Sequence, residues 1–158
     1  MNKYFNNNRN NQMRNQSYFP SMRTDFGSEP FVVDINKATL YNNNYRTALW
    51  TGAHLQLTLM SIPVGEDIGL EVHADHDQFL RIESGQGLVQ MGSSKEHLYL
   101  QQPVYADCAV FVPAGTWHNL INTGSEPLKL YSIYAPPEHA WGTVHQTKAV
   151  AETAEMYQ

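Results

Sequence analysis

The chain of 158 residues holds a single cysteine, Cys108, so neither an intrachain disulfide nor a thiolate metal cluster can be built from it. No apolar run approaches the ~18 residues that a membrane-spanning helix needs, and the N-terminal stretch lacks the apolar centre of a secretory signal. These absences set the expectation of a soluble, cytoplasmic chain with no membrane partner. Basic charge is scarce as well: residues 1–24 carry Lys3, Arg9, Arg14 and Arg23 and no acid, leaving six basic against fifteen acidic residues in the remainder. That balance argues against a nucleic-acid partner. No internal repeat of fixed period is present, which argues against a propeller or solenoid.

Asparagine is what the chain has in excess at its start, with seven among the first fifteen residues. Such a segment has too little apolar surface to offset the entropy of ordering it, so residues 1–27 are expected to be a disordered tail and residues 28–158 a single domain. From Phe31 the pattern changes to short apolar or alternating runs: TALW, HLQLTLMSI, LEVH, QFLRIE, GLVQM, HLYLQ, AVFV, HNLIN and PLKLYSIY. The turn signals between them are PVGEDIG, ESGQG, GSSK, Pro103, PAGT, NTGS and APP. Many short strands at close spacing predict an all-β fold, a single small barrel or jelly roll. Only VAETAEM, after Gly142, reads as a short C-terminal helix.

The polar residues of GEDIGLEVHADHDQFLRIESG raise the question of chemistry. If LEVH is a strand, Glu71 and His73 are two residues apart and share a face. In QFLRIE the alternation places Gln78, Leu80 and Ile82 on one face and Phe79, Arg81 and Glu83 on the other. A hairpin through ADHD can then set Gln78 beside Glu71 and His73, with Asp75, His76 and Asp77 as solvent-facing loop residues. Some forty residues on, FVPAGTWHNLIN feeds a strand on which His118, Leu120 and Asn122 share a face.

These segments resemble the two signature motifs of the cupin superfamily, G-x5-H-x-H-x4-E-x6-G and G-x5-P-x-G-x2-H-x3-N. Gly65, Glu71, His73, Gln78 and Gly85 fall at the spacing of the first; Pro113, Gly115, His118 and Asn122 fall at the spacing of the second, with Asp107 at its leading glycine. The resemblance covers about residues 45–136 and implies a cupin β-barrel or jelly roll. It also implies a metal site at Glu71, His73, Gln78 and His118. Relative to the family's three histidines and one glutamate, a carboxylate stands for a histidine and an amide for the carboxylate, so the formal ligand charge is unchanged.

The set is similar to that of mannose-6-phosphate isomerase-type cupins with Gln and Glu exchanged, and it also resembles the facial triad of non-haem iron oxygenases. The implied cofactor is a divalent metal ion, zinc first, with Fe, Mn, Ni or Co as alternatives. The implied partner is a small oxygen-bearing organic molecule, and the implied assembly a homodimer. The leading reading is a small-molecule metalloenzyme of sugar-isomerase-like type with no catalytic residue assigned. A dioxygenase with a redox-active metal is one alternative. Another is a non-catalytic binding or structural cupin attached through its tail. Against a metal site stands a degenerate cupin in which Glu71 and Gln78 only hydrogen-bond His73 and His118. Trp117, Tyr131 and Tyr134 are open to being pocket walls or core, and His145 and Lys148 are open to folding back over the barrel mouth.

Overall fold

A computed structural model describes residues 22–156; the expected disorder of the asparagine-rich stretch 1–21 lies outside the described residues. The elements are α1 (Ile35–Tyr41), β1 (Arg46–Thr51), β2 (Gln56–Ile62), β3 (Asp77–Ser84), β4 (Gln86–Gly92), β5 (Leu100–Tyr105), β6 (Ala109–Val112), β7 (Trp117–Asn122), β8 (Leu128–Ala135), β9 (Val144–His145) and α2 (Lys148–Glu155). A six-stranded sheet runs β6-β3-β8-β2-β1-β9 and a three-stranded sheet β5-β4-β7, with antiparallel pairing throughout. This is the small all-β jelly roll that the strand pattern predicts, and α2 is its short C-terminal helix.

Alternation of side chains builds the core. Along β3, Gln78, Leu80 and Ile82 are buried while Phe79, Arg81 and Glu83 take the outer face, where Asn36 of α1 and Arg81 cover the Glu83 carboxylate. Along β8, Leu128, Leu130, Ser132 and Tyr134 are the buried set. Ile62, Ile82, Leu128 and Leu130 have no exposed surface, and each such side chain stabilises the fold by roughly 1.5–3 kcal/mol. The register sets Gln78 opposite Tyr134 on one side and Val112 on the other. A polar residue thereby joins Ser132 among the buried side chains.

Two positions of the second motif are structural. Asp107 adopts a left-handed backbone with φ 73°, a conformation in which glycine is unstrained and aspartate is better tolerated than most residues. Asn122 is buried, donating to the carbonyls of Ile62 at 2.9 Å and Glu126 at 2.8 Å while accepting from the Gly124 N–H at 2.9 Å. It pins the β7–β8 turn to the end of β2.

Several elements differ from the sequence reading. INKATLY forms helix α1, capped by the Asp34 carboxylate, which accepts from the Lys37 N–H. Only Thr39 of this helix is buried, so it offers no apolar stripe for a periodicity to reveal. HLYLQ, expected as a strand, makes only an isolated Ser94–His97 bridge before β5 begins at Leu100. Pro103, expected as a turn, lies inside β5, the outer strand of its sheet, where a residue without an N–H is tolerated.

Residues 22–27, assigned by composition to the tail, include a fully buried Asp25. Its carboxylate accepts from the N–H groups of Gly27, Thr51 and Gly142 and from the Thr51 hydroxyl. Four donors on one carboxylate hold this segment to β1 and to the loop before β9.

Candidate metal centre

LEVH is not a strand. Gly69, with φ 88° and its N–H on the Asp67 carboxylate, turns the chain just before it, and the segment meets β7 only through the bridges Asp67–Ile121 and Glu71–His118. The convergence expected of a strand is nevertheless produced by that second bridge. Glu71 and His118 exchange both backbone hydrogen bonds, and paired residues of a bridge project to the same side. His73 follows, its carbonyl accepting from the Gly115 N–H at 2.7 Å. Gly115 has φ 79° and sits in the Pro113–Thr116 turn, so the motif glycine both makes the turn and anchors the segment that carries the first histidine.

The side chains of Glu71, His73 and His118 come together as a group able to hold a metal ion, their ligand atoms within 4.8 Å of one another. Oε1 of Glu71 lies 3.4 Å from Nε2 of His73 and 3.4 Å from Nε2 of His118, long for charge-assisted hydrogen bonds. Neither Nε2 has a hydrogen-bond partner, although both atoms are buried, and the buried Oε1 of Gln78 has none either. The Gln78 amide is oriented by donating from Nε2 to the Ser132 hydroxyl at 2.9 Å, which leaves its carbonyl oxygen as the free lone-pair end. Buried polar atoms are almost always partnered. Two orphaned imidazole nitrogens beside a carboxylate fit a bound cation, and Gln78, the third motif residue with an unpartnered buried acceptor, offers an amide oxygen as a further donor type.

The tautomers agree with that fit. Nδ1 of His118 lies 3.0 Å from the Thr116 carbonyl; a carbonyl can only accept, so Nδ1 carries a proton, and Nε2 is the atom whose lone pair a cation would take. Nδ1 of His73 faces Oε1 of Glu138 at 3.5 Å.

Electrostatics couple the group. Burial raises the Glu71 carboxyl, but the imidazoles of His118 and His73 outweigh it and hold the group at about 2. For His73, burial works to lower the pKa and the adjacent Glu71 carboxylate raises it by more, leaving it above its ordinary value. Nearby, burial, reinforced by the Arg46 guanidinium, pulls His139 down to about 3, and burial pushes Tyr134 up to about 12.

The remaining sequence candidates divide. Tyr134 belongs to the site, its ring perpendicular to that of His73 at 5.8 Å. Tyr131 packs near Phe79 at 6.3 Å, and Trp117 lies beneath the Lys95 ammonium at 4.8 Å; these are their contacts rather than the site's. Asp75 is an exposed loop residue as expected; Asp77 is exposed too, but it is the first residue of β3 and its carboxylate accepts from the Ala114 N–H. His76 instead turns inward, with Nε2 3.2 Å from the Pro137 carbonyl and 3.3 Å from Oε2 of Glu138. His145 lies beside the buried Arg46 at 3.3 Å, and the Lys148 ammonium binds Asp67. Arg46, Glu138 and His139 lie outside both motifs, and no sequence signal marks them. Behind His118 the interior is packed, with a void of about 10 Å³, so any organic ligand must meet the centre from the mouth.

Residues 58–134 match the family model described as a Cupin domain. The uncharacterized protein YrkC of Bacillus subtilis (strain 168) is 67% identical over 131 residues, 83% of this chain and 70% of YrkC. An uncharacterized protein of Acanthamoeba polyphaga mimivirus is 38% identical over 118 residues, 74% of this chain and 72% of the viral protein. The crystal structure of BH2720 from Bacillus halodurans, 62% identical, superposes with a TM-score of 0.82 over 82% of this chain and 98% of that one.

Proposed function

Because the chain belongs to the cupin superfamily, we propose that it is a metal-dependent enzyme of small-molecule chemistry, of sugar-isomerase-like type. Glu71, His73, Gln78 and His118 would hold a divalent ion, zinc in the first instance. The observation that carries the reading is the pair of buried, unpartnered nitrogens His73 Nε2 and His118 Nε2 beside the Glu71 carboxylate, with Gln78 Oε1 also buried and unpartnered.

The ion would supply Lewis-acid polarisation of a carbonyl or hydroxyl oxygen. The chain's own residues do the rest. Thr116 and Glu138 orient the two imidazoles, Ser132 orients the Gln78 amide, and the packed interior confines a ligand to the mouth, where the Glu71 and Glu138 side chains are 26% and 29% exposed. Arg81 is engaged by Glu83 at 2.5 Å and Asp107 at 2.6 Å on the outward side of β3, so it is not placed to receive a phosphate at the mouth. The proposed substrate is a small oxygen-bearing molecule, and nothing at Arg81 favours a phosphorylated one.

A second reading, a dioxygenase, is favoured by the clustering of two histidines with one carboxylate, a donor set that also suits non-haem iron. Elemental analysis of natively purified protein separates the two. Stoichiometric iron, nickel or copper supports oxygen chemistry, and zinc alone counts against it because zinc offers no redox step. Absence of stoichiometric metal from the wild type and from Gln78→Glu and Glu71→His variants alike would end the metal proposal.

A homodimer is also part of the proposal. Phe111 of β6, an edge strand, meets Phe79 edge-to-face at 5.1 Å and is 69% exposed; a second copy would cover this patch. Sedimentation velocity showing a monomer at micromolar concentration would remove that element.

A further inference from the structure

Glu138 lies beyond the last residue matched to the cupin family, Tyr134. Its carboxylate nonetheless bridges two imidazoles, with Oε1 3.5 Å from Nδ1 of His73 and Oε2 3.3 Å from Nε2 of His76. The loop that carries it is held from below by Gln56, which has no exposed surface. Gln56 uses both ends of its amide: Oε1 accepts from the N–H groups of Glu138 at 3.2 Å and His139 at 2.8 Å, and Nε2 donates to the His139 carbonyl at 2.8 Å and the Thr51 hydroxyl at 2.9 Å.

Gln56 is itself fixed in β2 opposite Tyr134, whose ring packs against both His73 and His139. The backbone of Glu138 is thus tied to β2, whose neighbour β8 pairs in turn with β3, the strand of Gln78.

We propose that Glu138 is a positioning residue of the metal centre: its carboxylate accepts from Nδ1 of His73 and directs the Nε2 lone pair of that ring toward Glu71 and His118. The inference rests on reading Glu71, His73 and His118 as metal donors and adds a residue that neither motif contains. A ligating histidine that donates its other N–H to a carboxylate is held in one orientation and made a more basic donor, and loss of such a partner typically weakens metal binding by about 10- to 100-fold.

The two histidines then have unequal support. His118 leans on the neutral Thr116 carbonyl, and His73 leans on a charge that it shares with His76. Glu138 therefore makes the inward turn of His76 part of the centre's scaffold.

The test measures zinc affinity of the full chain by competition with a chromophoric chelator, alongside the visible absorption spectrum of the cobalt(II) form. Glu138→Gln keeps the size and removes the charge; it should weaken zinc binding by roughly 10-fold, and Glu138→Ala by up to roughly 100-fold, with the cobalt bands shifted in both. Gln56→Leu should weaken binding in the wild-type background and add little to Glu138→Ala, since both act through one carboxylate. A purely structural role for the loop would lower the melting temperature and leave the Gln variant with wild-type affinity and spectrum.

That result, with metal present in the wild type, overturns the role of Glu138 and leaves the metal reading standing. A wild type that binds no zinc or cobalt overturns both. If the Ala variant does not fold, the Gln variant decides.

Discussion

Glu71 and His118 meet twice. Their main chains exchange hydrogen bonds of 3.0 and 2.9 Å, and their side chains meet again at 3.4 Å between Oε1 and Nε2. The side-chain meeting follows from the backbone pairing, because the residues of such a bridge are held side by side. The carboxylate is therefore placed by the end of β7 as much as by its own segment, and changes at either residue should be felt at both.

The metal-free protein should show a stability plateau between about pH 4.5 and 6.5. Glu71 lies below its ordinary value of 4.5 in the folded chain, at about 2, so its contribution is complete above 4.5 and disappears as pH falls toward 2, a loss on the order of 3 kcal/mol. His73 lies above its ordinary 6.5, so its contribution is complete below 6.5 and is lost as pH rises. Denaturant unfolding across pH with chelator present should show both slopes, and Glu71→Gln should abolish the acid slope and weaken the alkaline one, to which Glu138 also contributes. Saturating zinc should remove the alkaline slope, since a bound metal takes the neutral imidazole.

Gln78→Glu should separate metal affinity from metal-free stability. A second carboxylate near Glu71 raises the negative charge offered to a cation, and zinc binding should tighten on the order of tenfold, about 1.4 kcal/mol. Without metal the same charge is buried beside another, and the melting temperature should fall. Calorimetry in zinc and in chelator reads both effects; a fall without tighter binding would show that position 78 does not face the ion.

Asp25→Ala should destabilise the fold while leaving the centre intact. It removes one acceptor from four donors, three of them backbone N–H groups, a cost of about 2–4 kcal/mol. Urea unfolding measures the loss, and zinc affinity of the folded fraction should match the wild type.

Asp107 tests the left-handed turn of the second motif. Asp107→Gly should change stability by no more than about 0.5 kcal/mol, whereas Asp107→Ala should cost about 1 kcal/mol at φ 73°. The contact with Arg81 is exposed and contributes little to the difference.

The parts of the molecule legible in the sequence are those in which one period or one motif carries the information. The Gln78, Leu80, Ile82 alternation located the inner face of β3 because a half-buried strand must alternate. Glu71, His73 and His118 converge as the motif spacing implies. Helix α1 was not legible, because a seven-residue helix that buries only Thr39 has no apolar period. Glu138 was not legible either: its place depends on Gln56, more than eighty residues earlier, and a contact of that separation leaves no local pattern.

Pro103 has a consequence for how molecules of this protein can join. The outer side of β5 has no donor at that residue and carries a pyrrolidine ring instead, so a strand arriving from another molecule cannot complete a regular ladder there. Growth of the smaller sheet by strand addition is blocked at its rim. The larger sheet is not closed in this way at β6, whose four residues, Ala109 to Val112, include no proline.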